Sequence, residues 1–203
     1  MTNADHKPDS APSADGIAAA ARTAAKKGPP PVHLWNPPFC GDLDMRIARD
    51  GTWFYLGTPI GRRPLVKLFA SVLKREGDAY FLVTPVEKVG IKVDDAPFVA
   101  VDFTVAGEGT AQVLTFTTNV DDTAEAGEAH PIRMTTDPAT GEPAPYILIR
   151  RNLEALIDRK SFYRLVDLGT AHVVDGVAQF GIWSGGTFFP FMPVAEMENR
   201  AET

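Results

Sequence analysis

Cysteine is nearly absent from this sequence: the only one among 203 residues is Cys40. A single cysteine cannot form a disulfide within the chain, and scarce cysteine is typical of a reducing compartment. The sequence also lacks an apolar run of about 18 residues and an apolar N-terminal region of the signal-peptide type, so neither a membrane span nor export is predicted. These absences predict a soluble, cytoplasmic protein.

The common catalytic and nucleotide-binding motifs are missing as well. The chain has no GxxxxGK[ST], GxGxxG, HExxH, GxSxG or CxxC pattern, and each of these patterns is tied to a particular chemistry. Its four histidines are scattered without the spacing of metal ligands, so no metal site and no cofactor is predicted. The missing motifs favour a protein that is not an enzyme, and no catalytic residue is predicted.

Excess positive charge is also lacking. The net charge is −6, with 44% hydrophobic and 23% charged residues, which is the balance of a soluble globular protein. Proteins that bind DNA without sequence preference do so by neutralising phosphates, so an acidic chain argues against that activity. A local basic pocket remains compatible with this composition.

Two Asp-Gly pairs between alternating apolar runs predict β-hairpins, because a two-residue type I′ turn needs positive φ at both positions. In the first, "DGTWFYLGTPI", such a turn pairs Ile47 with Phe54 and Arg46 with Tyr55. One face then carries Met45, Ile47, Phe54 and Leu56 as a core face. The opposite face carries Arg46, Ala48, Trp53 and Tyr55.

Apolar spacing predicts the remaining elements. An amphipathic helix is predicted from Pro64 to Gly77, and a second one after Asn152 as its N-cap. Alternating segments predict antiparallel strands between these helices, and "AHVVDGVAQFGIW" is the second hairpin. The fold class is therefore α+β, with two similar small domains, each a curved antiparallel sheet with one main helix.

Composition shifts divide the chain into five segments. Polar and Pro-rich stretches mark the tails, and residues 121 to 145 are acidic and rich in Pro, Gly and Thr, as linkers are. The predicted segments are a disordered tail with a short helix (1–32), an N-terminal α+β domain (33–120), an acidic loop or linker (121–145), a C-terminal α+β domain (146–194) and a charged tail (195–203).

Cationic and aromatic side chains recur within otherwise apolar strands. Guanidinium groups beside flat rings suit a ligand that has an aromatic ring and an anionic group, such as a nucleotide. The alternative is that the rings fill a core or an interface while the arginines pair with carboxylates. The candidate ligand-binding residues from this pattern are Arg46, Trp53, Tyr55, Lys88, His130, Arg133 and Arg150.

Several separate blocks of the sequence resemble one bacterial family. They are "HLWNPPFCGDLDMRIARDGTWFYLGTPIGRRPLVKLF", "LVTPVEKVGIKVDDAPF", "TNVDD", "HPIR" and "SGGTFF", and they resemble the domain-of-unknown-function family 1285 over about residues 32 to 192. The resemblance implies a duplicated core and a C-terminal domain superficially like a pleckstrin-homology fold. It also implies a nucleotide-like or nucleic-acid-based ligand in the crevice between the domains, and a signalling role. Carried over to this sequence, the block "TN" adds Asn119 to the candidate ligand-binding residues.

Three functions compete on this basis. The first is a non-catalytic module that senses a nucleotide-like or other anionic ligand in signal transduction. The second is an interaction module that takes a peptide or protein partner by strand addition, which an exposed, unpaired apolar edge in the C-terminal half would favour. The third is a hydrolase in which His130 acts with Asp121 or Asp122, which requires those groups to converge within about 3 Å or through one water.

Overall fold

The structure is a computed structural model that describes residues 12–25, 30–137 and 140–201, with side chains to residue 197. Two compact units divide the chain. The first unit contains the described residues up to Ala48 together with Thr52–Val93, and the second contains Arg49–Gly51 and the described residues from Asp94 onward. The predicted disorder of the first eleven residues and the predicted helix end at Lys27 lie outside the described residues.

The first unit is a six-stranded sheet with two helices. Its sheet order is β3-β2-β1-β6-β5-β4, in which β1 and β6 are parallel and every other pair is antiparallel. The elements are α1 (Ala14–Ala25), β1 (Phe39–Ile47), β2 (Trp53–Tyr55), β3 (Thr58–Pro59), α2 (Arg63–Ser71), β4 (Leu73–Glu76), β5 (Ala79–Val83) and β6 (Lys88–Val93).

The second unit contains a six-stranded sheet, a three-stranded sheet and two helices. The larger sheet has the order β10-β11-β12-β7-β8-β9, with β12 and β7 parallel, and the smaller sheet has the order β13-β14-β15. The elements are β7 (Phe98–Ala106), β8 (Val113–Thr118), β9 (Thr123–Glu125), β10 (Ile132–Thr136), β11 (Pro143–Arg150), β12 (Leu153–Ile157), α3 (Arg159–Asp167), β13 (Thr170–Val174), β14 (Val177–Ser184), β15 (Thr187–Pro193) and α4 (Val194–Ala201).

The two six-stranded sheets have the same topology. Each consists of two antiparallel three-stranded meanders, and its first and last strands in sequence lie side by side and parallel at the centre. This confirms the predicted α+β fold with two similar domains. It also shows that each sheet is mixed, because its central pair of strands is parallel while its other pairs are antiparallel.

The first hairpin is shifted by one residue from its predicted register. Ile47 faces Trp53 and Met45 faces Tyr55, so Trp53 shares the core face and is only 1% exposed. The cause is the turn: Gly51 has φ +83° but Asp50 does not have positive φ, and Ala48 N–H bonds the Thr52 carbonyl. This is a three-residue loop, in which only the glycine is left-handed.

The second hairpin has the predicted turn and register. Asp175 and Gly176 have φ of +50° and +80°, as a type I′ turn requires. Val173 pairs with Ala178, which is the register that a two-residue turn at Asp175 and Gly176 gives.

Two predicted helices are partly or wholly strands. The first ends at Ser71, and Leu73–Glu76 pairs with β5. The second, after Asn152, is the strand Leu153–Ile157, in which buried residues alternate with half-buried ones at the period of a strand. The true helix starts one residue after Asp158, whose carboxylate accepts the Ser161 N–H at 2.8 Å.

The segment boundaries also differ from those predicted. The predicted linker contains β9 and β10, and the predicted N-terminal domain contains β7 and β8 of the second unit. The predicted C-terminal tail forms α4. Composition alone missed these elements because short edge strands rich in Thr and Glu have little apolar periodicity. None of the described helices has the length and apolarity needed to cross a membrane.

Candidate anion-binding site

The first unit brings the C-terminal end of α1 to the start of α2. The buried face of α1 consists of Ala14, Ile17, Ala18 and Ala21, and α1 packs against α2. Alanine side chains allow two helix backbones to approach closely, so a short Ala-rich helix that would be unstable alone is held by this packing. Arg22, in the last turn of α1, is exposed beside this contact.

The start of α2 carries an unusual concentration of positive charge. Arg62 is the N-cap residue, its side chain makes no capping hydrogen bond, and the first turn contains no acidic residue. The N-terminus of a helix carries a partial positive charge and normally takes Ser, Thr, Asp or Asn as a cap. Arg62 and Arg63 therefore add charge where the helix dipole already disfavours a cation, which costs stability and strengthens the local positive potential.

These residues line a cleft of about 550 Å³. Its apolar wall is formed by Pro64, Leu65 and Leu68, and its cationic groups come from both helices. The lining residues are Arg22, Gly61, Arg62, Arg63, Pro64, Leu65 and Leu68. Among the described residues no carboxylate lines the cleft, so its formal charge is +3.

Arg22 and Arg62 are not neutralised by neighbours. Both side chains are exposed, and within residues 12–25, 30–137 and 140–201 neither forms an ion pair. A guanidinium group presents five N–H donors in a planar fork that matches the oxygens of a phosphate or carboxylate. The cleft can therefore hold an anion against at least two open forks.

The predicted hairpin residues take other roles. Trp53 stacks on Phe69 with ring centroids 6.2 Å apart and lies in the core, so we withdraw it from the candidate site. Its indole Nε1 is buried without a hydrogen-bond partner among the described residues. The Arg46 guanidinium lies 5.2 Å from the Phe54 ring centroid, and Tyr55 is half-buried.

The cation predicted on β6 is used within its own sheet. Lys88 Nζ bonds Glu76 Oε2 at 2.9 Å, and Lys74 Nζ bonds the other oxygen at 2.9 Å. These two ammonium groups lower the pKa of Glu76. Lys88 also lies 4.8 Å from the Phe81 ring centroid. It belongs to an ion-pair cluster that holds three neighbouring strands together.

Asn119 has a structural role in the second unit. Its side-chain oxygen accepts the Val99 N–H at 3.1 Å, and its amide donates to the Gly51 carbonyl at 3.3 Å. A Cβ at Gly51 would lie 2.5 Å from the Asn119 amide nitrogen. Asn119 therefore fixes the turn of residues 49–51 against β7, which is a sufficient reason for Asn and Gly at these positions.

Arg133 lies in the most extensive polar network of the second unit. It forms a two-bond pair with Glu154, Nε–Oε1 at 2.6 Å and Nη2–Oε2 at 2.8 Å. Its guanidinium lies 4.1 Å from the ring centroid of Tyr146, whose hydroxyl donates to Asp95 at 2.7 Å. Arg49 bonds the Asp137 carboxylate and lies 3.3 Å from Asp95.

This network neutralises its own cations. Two arginines face three carboxylates, and burial together with the Asp95 bond raises the pKa of Tyr146. Arg150 likewise bonds Asp122 at 2.6 Å, and burial lowers the pKa of Arg150. The predicted alternative, arginines paired with carboxylates, thus describes Arg133 and Arg150.

The predicted hydrolase partners have different hydrogen-bond partners. His130 Nδ1 lies 3.0 Å from the Leu148 carbonyl oxygen, while the Asp122 carboxylate is bonded to Arg150. Among the described residues, no hydrogen bond or ion pair joins His130 to Asp122.

Two protein-family models together match most of this chain. A model of the DUF1285 N-terminal domain, described as a domain of unknown function, matches residues 30–96. A model of the DUF1285 C-terminal domain, described as a protein of unknown function, matches residues 97–191. The chain belongs to the DUF1285 family. The two DUF1285 models meet close to the boundary between the two units.

Two solved structures of DUF1285 proteins are similar to this one. The protein from Silicibacter pomeroyi DSS-3 is 69% identical in sequence, with a TM-score of 0.83. The match covers 92% of this chain and 100% of that protein's chain. The protein from Shewanella baltica OS155 is 32% identical in sequence, with a TM-score of 0.49. The match covers 62% of this chain and 91% of that protein's chain. Among curated proteins, none matches this DUF1285 chain.

The cleft residues are not among those predicted from the sequence, because the prediction relied on cations beside aromatic rings and "GRRP" has no ring next to it. A usable signal was present: proline is favoured at the first turn of a helix, so two arginines directly before or within that turn lie at its positive end. Placing cations there opposes the usual preference for acidic residues. Sequence-specific violations of such local rules are expected at functional sites.

Proposed function

We propose that this protein is a non-catalytic module that binds an anionic ligand in the cleft between α1 and the start of α2. The observation that carries the proposal is the cluster of Arg22, Arg62 and Arg63 around the N-terminus of α2, with no described carboxylate in the cleft. A sensor in signal transduction binds its ligand without catalysing a reaction. The proposal therefore includes a role in signal transduction, and it includes a cytoplasmic location.

The chemistry of the cleft narrows the class of ligand. Three guanidinium groups favour a phosphate or a dicarboxylate, and the positive end of the helix dipole favours the same anions. The wall is aliphatic, and among the described residues no aromatic ring lines the cleft. A phosphorylated ligand with an aliphatic body therefore fits better than one whose base must stack on a ring.

The test is a thermal-shift screen at low ionic strength. The panel contains inorganic phosphate, pyrophosphate, mono-, di- and cyclic nucleotides, phosphorylated sugars and short dicarboxylates. A ligand at about 100 times its Kd stabilises the folded state by about 2.7 kcal/mol. At this chain length that corresponds to a rise in Tm of several degrees.

Matched variants locate the site. Arg62→Gln and Arg22→Gln each remove one charge from the exposed rim of the cleft. Each should weaken the apparent affinity at least about ten-fold, and the thermal shift should become smaller. Lys67→Gln removes the same charge from the same helix, outside the cleft lining, and should leave the shift unchanged. A flat panel, or a shift that Lys67→Gln reduces as much as Arg62→Gln does, contradicts the proposal.

A further inference from the structure

The second unit contains an edge strand without the features that usually protect such edges. An exposed edge offers unpaired backbone groups to other chains, and proteins block it with short strands, prolines or charges. β3 and β9 have two and three residues, β4 carries Lys-Arg-Glu, and β15 contains two prolines. β10, at the remaining edge of the larger sheet, carries Arg133 and contacts β15. β13, with the sequence TAHVV, has none of these features.

The backbone of β13 presents hydrogen-bonding groups outward. Asp175 and Gly176 form a two-residue turn, so Val174 and Val177 are the first hydrogen-bonded pair. Hydrogen-bonded and non-bonded pairs alternate along an antiparallel ladder. Ala171 and Val173 therefore turn their N–H and C=O groups away from β14, and no other described strand pairs with this edge.

The surface along this edge is a groove with apolar and acidic walls. Its volume is about 660 Å³, and it is lined by the end of β7, the turn after it, the end of α3 and β13 itself. Leu168 and Val105 are 40% and 41% exposed, and Val173, further along the edge, is 62% exposed. The charged residues of the lining are Glu108 and Asp167, and no Lys or Arg lines it among the described residues.

Asp167 is placed unfavourably for the fold alone. It is the last residue of α3, where the negative end of the helix dipole disfavours a carboxylate. Together with exposed Glu108 it gives the groove a negative potential of its own. The carboxylate of Asp167 therefore lowers the stability of the helix, and its charge can attract a basic partner.

We propose that β13 and this groove bind an extended peptide segment that carries Lys or Arg, which adds to the smaller sheet as a fourth strand. The outward N–H and C=O groups of Ala171 and Val173 pair with the backbone of the peptide, as in other strand-addition complexes. Its basic side chains lie against Glu108 and Asp167, and its apolar side chains lie against Leu168 and Val105.

A second copy of this chain fits the edge less well. Two β13 edges placed together would bring two acidic grooves into contact, and like charges facing each other across an interface cost several kcal/mol. The charge of the groove therefore selects a basic partner over self-association.

The experiment uses two fluorescent, acetylated heptapeptides with the same alternating pattern, one of Val and Lys and one of Val and Glu. Binding to the full chain is measured by fluorescence anisotropy at low salt. Hydrogen exchange of individual amides is measured by NMR with and without peptide. We expect the Lys peptide to bind and to slow exchange of the Ala171 and Val173 amides, and the Glu peptide to bind at least about ten-fold more weakly.

Charge-reversal variants complete the test. Glu108→Lys with Asp167→Lys changes only exposed residues, so the variant should fold, and it should reverse the preference between the two peptides. Glu128→Lys with Glu142→Lys makes the same change in charge at exposed sites outside the groove and should keep the preference. Equal binding of both peptides, binding without protection of the two amides, or protection of them by concentration-dependent dimers each overturns the proposal.

Discussion

Replacing Arg62 by aspartate should make the protein more stable while abolishing anion binding. Arg62 occupies the N-cap of α2 with extended backbone angles, φ −84° and ψ 96°, and makes no side-chain cap. The N–H of Leu65, which an aspartate cap would bind, already donates to the Arg62 carbonyl at 2.9 Å, and Pro64 has no N–H. Aspartate at this position therefore acts through its charge, because it replaces a cation by an anion at the positive end of the helix.

The expected gain follows from this change of charge. Removing the cation and adding an anion beside the helix dipole each contribute about 0.5 kcal/mol. The sum of about 1 kcal/mol corresponds to a rise in Tm of about 2 to 4 °C for a chain of this length. Arg62→Ala removes the cation without adding an anion, so it should gain only about half of this.

Urea unfolding at low salt measures the gain, with the slope m checked to be the same in all three proteins. The anion-dependent thermal shift is measured in parallel. A loss of stability of about 1 kcal/mol or more in Arg62→Asp would refute the reasoning, because it would mean that Arg62 supports the fold. Its presence at the N-cap would then need no ligand to explain it.

Three further predictions concern residues whose structural roles are now assigned. Gly51→Ala should cost about 1 to 3 kcal/mol more than Gly57→Ala in urea unfolding, because both glycines have positive φ but only Gly51 has neighbours within 4 Å of the added Cβ. Trp53→Ala should cost about 3 to 5 kcal/mol through the cavity it leaves in the core, and equal stability would contradict its burial. Burial raises the pKa of Glu87 above its usual 4.5, so its ionisation destabilises the folded state as pH rises through the folded pKa. Glu87→Gln should therefore stabilise the protein at pH 7 and lose that advantage below about pH 4, and a gain that is the same at both pH values would exclude this cause.

The buried hydroxyl of Tyr146 offers one more test, with a control in the same unit. Tyr146 is 6% exposed and donates to Asp95, so Tyr146→Phe leaves a carboxylate oxygen without its donor and should cost about 1.5 to 2 kcal/mol. Tyr163 is 54% exposed and accepts a bond from Arg159, so Tyr163→Phe should change stability by less than about 0.5 kcal/mol. Similar losses of stability in both variants would show that the buried Tyr146–Asp95 hydrogen bond contributes no more than the exposed one.

The turn type and register of a hairpin could be predicted from the sequence where the turn has no contacts with distant residues. The Asp175-Gly176 hairpin has the expected turn and register because nothing else contacts its turn glycine: a Cβ at Gly176 meets no atom within 4 Å. The Asp50-Gly51 turn contacts Asn119 and Val99, which are distant in sequence. That packing accompanies a three-residue loop, and a shift of one residue moves every side chain of the strand to the opposite face.

The predicted contacts between cations and rings are found, but the candidate cleft lies elsewhere and has no ring in its described lining. The sequence identified cations beside rings, and the rings do lie beside the cations at Arg46, Lys88, Arg133 and Arg150. It did not reveal that Glu154 and Asp122, 21 and 28 residues away, neutralise two of them. Long-range ion pairs leave no periodic signal. Arg62 of "GRRP" forms no ion pair among the described residues, and the first turn of α2 contains no acidic residue.

The central claim is tested most directly by NMR of the arginine Nε–H groups during a titration with pyrophosphate. The account predicts that the signals of Arg22, Arg62 and Arg63 shift together and saturate. The signal of Arg133, whose Nε is bonded to Glu154 at 2.6 Å, should remain in place. Saturable shifts at Arg133 with none at Arg62, or no saturable shift at any arginine, would contradict the account.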